Sequence, residues 1–279
     1  GQDSIYRNQK SLSSSLEKLS TGLRINRASD DAAGLAVSEQ LRTQIRGTAQ
    51  AKRNAEDGIA LLQIAEGASS EITATLQRMR ELALQSANDT LTSTERGYTN
   101  TEFNALMTEI ERISQSTQYN GITLLDGASG SFGTTSGPSV LHIGANNNNG
   151  VTNGTIDTLA VSINSITLGA LGMTISGTGA SNITNQGNAF TAITAIDNAI
   201  QSVSSVRSGI GAIVNRLESA INNLANQEFN MQNAEAIIRD VDFATETTKF
   251  TKAQILSQAS MAMLGQANAA PSTVLALLQ

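Results

Sequence analysis

Catalysis has little to draw on in this chain. His142 is the only histidine and stands between Leu141 and Ile143, which predicts a strand position and a structural role for the imidazole. Cysteine is absent, so neither a disulfide framework nor a thiolate zinc site is available. The zinc-helix pattern H-E-x-x-H does not occur. A Ser-His-Asp triad is formally possible, but no G-x-S-x-G turn presents a nucleophile. No G-x-x-x-x-G-K loop offers a phosphate cradle. The carboxylate pairs Asp30-Asp31 and Asp240 with Asp242 could bind a cation. They read better as caps beside helix breaks, where acidic groups meet the positive helix end. No catalytic, cofactor or metal site is expected.

Charge bounds the partners. Eighteen Lys and Arg face twenty-four Asp and Glu, a formal −6, and the basic residues are scattered. Nucleic acid requires a basic face to neutralise phosphates, and no polybasic segment addresses anionic lipid. The polar start, Gly1 to Lys10, shows no cleavable signal. No apolar run approaches the ~20 residues that span a bilayer. The nearest, Ala253 to Gln279, is broken by Gln258, Ser260, Gln266 and Asn268.

Aromatic residues make up only 3% of the chain and Trp is absent. Packing therefore falls to Ala, Leu and Ile, which suits long helices lying side by side. Leu12, Leu16, Leu19 and Leu23 recur at spacings of four, three and four, a heptad-like seam. Leu61, Ala65, Ala68, Ile72, Leu76, Met79 and Ala83 continue the habit, and no Pro occurs before residue 138. A break is expected at Asn26–Gly34, with Ser29, Asp30 or Asp31 capping a new helix. A helix from Leu35 to Asn88 would be about 80 Å long at ~1.5 Å per residue and implies an elongated rod. A second helix, near Thr94 to Thr117, should end at the turn signal Asn120-Gly121.

Residues 126–187 change character to Gly, Ser, Thr and Asn. Leu159, Val161 and Ile163, then Leu171, Met173 and Ile175, alternate as short strands do; Asn149-Gly150 and Asn153-Gly154 are turn candidates. From Phe190 to Leu224 apolar residues return at spacings of three and four, with one seven-residue step. A last helix is expected over Phe243–Asn268, ahead of Pro271. The fold expected is mainly α, a long antiparallel helical rod or coiled-coil bundle made by the N- and C-terminal segments, with a small β-hairpin region mid-chain.

Segments spread along the chain resemble one family. Leu16 to Leu35 (LEKLSTGLRINRASDDAAGL) is similar to the N-terminal signature of the bacterial flagellins. Arg53 to Gly58 (RNAEDG) and Gln77 to Asn88 (QRMRELALQSAN) resemble its long helices. Tyr119 to Gly127 (YNGITLLDG) resembles the turn after them, and Ile143 to Asn146 (IGAN) a β-hairpin motif. Ile238 to Ala244 (IRDVDFA), Thr251 to Leu256 (TKAQIL), Met263 to Asn268 (MLGQAN) and Val274 to Leu278 (VLALL) resemble the C-terminal signature. Order and spacing carry the resemblance more than any one motif. A hook–filament junction protein is the alternative, and QRMRELALQSAN with VLALL favours a flagellin.

The resemblance implies a structural, non-enzymatic subunit that polymerises with itself into the bacterial flagellar filament. It also implies a short form with little or no outer-domain insertion, and an apolar, Asn-containing start ahead of the point matching Gly1. Three parts are implied: a terminal coiled-coil domain (1–33 and 240–279), a helical rod (34–126 and 188–239) and a β-rich segment (127–187). Leu12, Leu16, Leu19 and Leu23 are expected to pack against Ile255, Leu256, Ala259, Met263, Leu275 and Leu278. Implied partners are further copies of the chain, the flagellar cap, junction proteins, an export chaperone and the type III export apparatus, with the protein secreted. In flagellins detected by the flagellin-sensing Toll-like receptor, an innate immune receptor, four positions contribute to contact. They match Arg78, Glu81, Leu82 and Glu102. Without the resemblance, Arg78 and Glu81 would read as a solvated helix face. Asn88-Asp89-Thr90, Asn153-Gly154-Thr155 and Asn182-Ile183-Thr184 match the N-glycosylation pattern.

Overall fold

A computed structural model describes residues 2–127, 132, 139–146, 157–174 and 181–277. The described elements are α1 (Gln2–Thr21), α2 (Ala32–Ser86), α3 (Ser93–Ser116), β1 (Gln118–Tyr119), β2 (Ile122–Thr123), β3 (Ser139–His142), β4 (Thr158–Val161), α4 (Gln186–Arg239) and α5 (Phe243–Leu277). The chain forms two compact units. Unit 1 comprises 1–46 and 227–279, and unit 2 comprises 47–226. Residues 157–174 contribute Leu159, Val161, Ile163, Ile166, Leu168, Leu171 and Met173 to the core of unit 2.

Unit 2 is organised by α2. Thr48, Ala51, Ala55, Gly58, Leu62, Ala65, Ser69, Ile72, Leu76, Met79, Ala83 and Ser86 are all buried, and they alternate at spacings of three and four without a break. This is a heptad seam whose small members let neighbouring chains approach closely. At Gly58 an added methyl would lie 2.6 Å from the Leu141 side chain of β3, so glycine there admits the hairpin. Facing the seam are Phe103, Met107 and Ile110 of α3, and Ile196, Val203, Ile210 and Leu217 of α4. Two neighbouring pairs, Leu61-Leu62 and Leu82-Ala83, are both buried; the covered face of α2 is wider than one seam.

The non-helical segments close this core. Asn120 (φ 51) and Gly121 (φ 79) turn β1 into β2, the two left-handed residues that an Asn-Gly hairpin requires. β3 pairs antiparallel with β4, setting Leu141 opposite Leu159. Leu159, Val161 and Ile163 point inward as expected. Leu171 and Met173 are also buried but occupy a turn and irregular chain, not a strand; burial came from the core above them rather than from sheet pairing. Ile175, Asn149-Gly150 and Asn153-Gly154 lie outside the described residues.

Helix ends are explicitly capped. Thr92 and Glu95 form a reciprocal capping box at the start of α3, and Thr92→Ala is expected to cost about 1 kcal/mol, read as a lower urea midpoint for unit 2. In unit 1, Asp31 accepts from the Gly34 amide (2.9 Å) and Asp242 from the Ala244 amide (3.0 Å). Asp30 instead closes a turn by accepting from the amides of Asn26 and Arg27, which hold its carboxyl below the usual aspartate range. Segment 22–24 pairs with 239–241: Leu23 bridges Asp240, and the Val241 amide donates to Gly22 (3.0 Å). The Arg24 guanidinium covers the Ile238 carbonyl in the last turn of α4. α5 continues through Pro271, where a stop was expected. The proline leaves one backbone carbonyl of the preceding turn without its amide donor.

Candidate functional site

Two surfaces gather the residues singled out in the sequence. On unit 2, α2 and α3 bring together Arg78, Glu81 and Glu102. Arg78 donates to Glu102 from Nε (3.1 Å) and Nη2 (2.9 Å), and to Glu81 from Nη1 (3.0 Å). Hydrogen bonding to Glu102 and then to Glu81 raises the pKa of the guanidinium further. All three side chains are exposed, Arg78 by 51%, so the trio forms a fixed, solvent-facing charge pattern. Leu82 does not join it. It is 2% exposed and belongs to the core, because α2 is covered on a face wider than its heptad seam. Its side chain, expected beside Arg78 on the helix surface, lies in the core instead.

Arg96 went unremarked in the sequence. Its side chain is only 13% exposed, and it donates to the carbonyls of Ser86 (2.9 Å) and Asn88 (3.0 Å), fastening the end of α2 to α3. A cation a few residues beyond a helix end was the available signal.

On unit 1, α1 and α5 run antiparallel through seams different from the one expected. In α1 the covered positions are Ile5, Asn8, Leu12, Ser15 and Leu19; in α5 they are Glu246, Phe250, Ala253, Ser257, Ser260 and Leu264. Both rows keep heptad spacing. Polar bonds cross between them, Asn8 Nδ2 to Ser260 Oγ (3.2 Å) and Ser15 Oγ to Glu246 Oε1 (2.7 Å). Leu12 and Leu19 thus lie in the seam, and Leu23 lies in the paired connector. Leu16 is 49% exposed, and Ile255, Leu256 and Met263 are 60%, 44% and 71% exposed. The expected packing of these four between α1 and α5 is corrected: the fully buried members of that contact are Ser15, Glu246, Ala253 and Ser257, with Ile5, Leu12, Leu19, Phe250 and Leu264 half-covered beside them, and these four stand on the outer faces. Ala259 is exposed too. Leu256, Ala259, Met263, Leu264 and Ala267 line an apolar groove with Ser4 of α1. Leu275 lies on α5, and Leu278 is outside the described residues.

Glu246 is the one acid in that contact, 5% exposed. Burial pushes its carboxyl up, but the Ser15 hydroxyl and the Lys249 ammonium favour the charged form. The net pKa lies below the usual glutamate value. Its stabilisation is therefore present at neutral pH and lost as pH falls through that depressed folded-state value. Glu246→Gln keeps an acceptor for Ser15, and is expected to flatten this acid limb in a helicity titration by circular dichroism. Superimposable acid titrations of the two chains would contradict the assignment.

Nearby, Arg42 and Arg239 bind Glu39 (both 3.1 Å) and reach Glu235 (3.7 and 3.9 Å). His142 ends β3, exposed, with its carbonyl accepting from Asn54. No group of three or more His, Cys, Asp or Glu among the described residues could hold a metal ion.

Comparison with known proteins gives the family of the chain. The family described as bacterial flagellin N-terminal helical region matches residues 2–129, and the bacterial flagellin C-terminal helical region matches 193–278. A flagellin of Halalkalibacterium halodurans is 48% identical over 95% of this chain and 90% of its own length. The flagellin of Bacillus subtilis is 43% identical over 98% and 94%. The flagellar filament 33 kDa core protein of Treponema phagedenis is 41% identical over 96% and 93%. Among solved structures, the flagellin of Bacillus cereus aligns with a TM-score of 0.51 at 28% identity, over 66% of this chain and 94% of that one. A hook-associated protein of Vibrio parahaemolyticus, at 18% identity, shares the fold with a TM-score of 0.60, over 75% of this chain and 99% of that one. Matched at both terminal regions and along nearly the whole length of its relatives, the chain belongs to the bacterial flagellins, structural subunits of the flagellar filament and not enzymes.

Proposed function

We propose that this chain enters the filament through the outward apolar faces of α5 and α1. The observation that carries this is the exposure of Leu16, Ile255, Leu256 and Met263 on helices already paired with each other. An apolar face that its own chain leaves open gains by meeting further copies. Identical contacts that do not close on themselves propagate as a helical polymer. The cap, junction proteins, an export chaperone and the type III apparatus are the partners that handle a subunit of this kind on its way out of the cell. Purified chain offered to short filament seeds should elongate them, as seen by electron microscopy. Seeds that stay their original length would oppose the proposal.

The free subunit is, in the same proposal, a ligand for the flagellin-sensing Toll-like receptor through Arg78, Glu81 and Glu102. Support comes from the exposed and geometrically fixed trio on α2 and α3. Arg78→Ala is expected to abolish receptor activation with little change in folding, because exposed ion pairs contribute little stability. Leu82→Ala should instead unsettle the core by about 2–5 kcal/mol, so its effect on activation must be judged beside its unfolding curve. Unchanged activation by a folded Arg78→Ala subunit would reject the assignment.

A further inference from the structure

The net charge of the chain is not shared between its units. Unit 2 holds eight Lys and Arg against fourteen Asp and Glu, a formal −6, whereas unit 1 holds ten of each and is neutral. Most cations of unit 2 are already matched: Arg78 with Glu81 and Glu102, Arg80 with Asp197, Arg96 with Asp89, Arg112 with Glu109, and Arg207 with Glu66. Glu56, Asp57, Glu71 and Glu218 remain exposed and outside every ion pair found among the described residues. In unit 1 the two signs interlock instead, through Glu17 with Arg27, the Glu39–Arg42–Glu235–Arg239 group, and Glu246 with Lys249.

We infer that the two units act oppositely on assembly: unit 1 joins copies of the chain at no net electrostatic cost, while the surplus carboxylates of unit 2 repel one another between copies and make growth depend on ionic strength. The inference rests on the assembly proposed above. Every added copy brings the same −6 into a crowded polymer, and like charges hold proteins apart. The reach of that repulsion is about 30 Å at 0.01 M salt, about 8 Å at 0.15 M and about 3 Å at 1 M. At low salt it spans neighbouring copies, and at high salt it is confined to contact. The apolar faces of α1 and α5 gain nothing comparable from screening, because their unit carries no net charge.

The test separates where charge lies from how much there is. Glu71→Gln with Glu218→Gln, both in unit 2, and Asp3→Asn with Glu228→Gln, both in unit 1, each take the whole chain from −6 to −4. Asp3, Glu71 and Glu218 are exposed and Glu228 is half-buried, where the Gln replacement keeps an acceptor for Gln232, and thermal unfolding verifies that both double variants fold as wild type does. Seeded elongation is followed by light scattering from roughly 0.01 M to 1 M sodium chloride. The unit 2 variant should elongate on the order of tenfold faster than wild type at the lowest salt, with the advantage gone at the highest. The unit 1 variant should show no acceleration. Equal acceleration by both variants, or by neither, overturns the inference while leaving assembly intact. No growth of any chain at any salt overturns the assembly reading, and this inference with it.

Discussion

Phe103→Ala lowers the stability of unit 2 by about 3–5 kcal/mol, seen as a large drop in the urea midpoint at nearly constant slope. The size follows from composition and position together. With six Phe, three Tyr and no Trp in 279 residues, most of the core is assembled from Ala, Ile, Leu and Val. Phe103 is fully buried and heads the largest fully buried side chains, on α3 against the α2 seam. Truncating it removes apolar burial and leaves a void that long, laterally supported helices cannot collapse to fill. Phe190→Ala is the internal comparison. That ring is 55% exposed on α4, and its loss should cost less than about 1 kcal/mol. Similar costs for the two would mean that α3 is not docked through Phe103.

Ile255→Asp combined with Met263→Asp abolishes seeded growth while leaving the unfolding of unit 2 where it was. Both side chains face solvent in the single chain, so the fold tolerates a hydrated carboxylate at either place. In a contact between copies, each carboxylate would have to be stripped of water without a partner. That costs several kcal/mol per group, and the cost recurs at every added subunit. Seeded growth at the wild-type rate would place the assembly contact elsewhere.

The long helices could be read from spacing because the period persists even where the residues change. Across 48–86 the seam passes through Thr, Gly and Ser as well as Leu, Ile and Met, and every one of those positions is buried. Asp31 and Asp242 were readable as caps, since their type and place leave few other roles. What spacing could not give was which face of a helix is covered when large apolar residues stand on both faces. In α1 and α5, Ser15, Ala253 and Ser257 fill the contact, and Leu16, Ile255 and Met263 look outward. A search weighted by side-chain size therefore takes Leu16, Ile255 and Met263 of the outer face together with Leu12 and Leu19 of the seam. For Leu82 the surface placement came from resemblance, and its burial from α2 being covered beyond one seam. The trio Arg78, Glu81 and Glu102 came from resemblance alone, because nothing local distinguishes an i, i+3 ion pair with a recognition role from one without.

The most direct test of the central claim, that the outer face of α5 is buried between copies, is methionine oxidation compared between free subunit and filament. Met263 and Met261 are 71% and 52% exposed, whereas Met79, Met107 and Met173 are buried in unit 2. Brief peroxide treatment followed by mass spectrometry should oxidise Met263 readily in the free subunit and sparingly in the filament, with the three core methionines slow in both. Equal oxidation of Met263 in the two states would contradict the account.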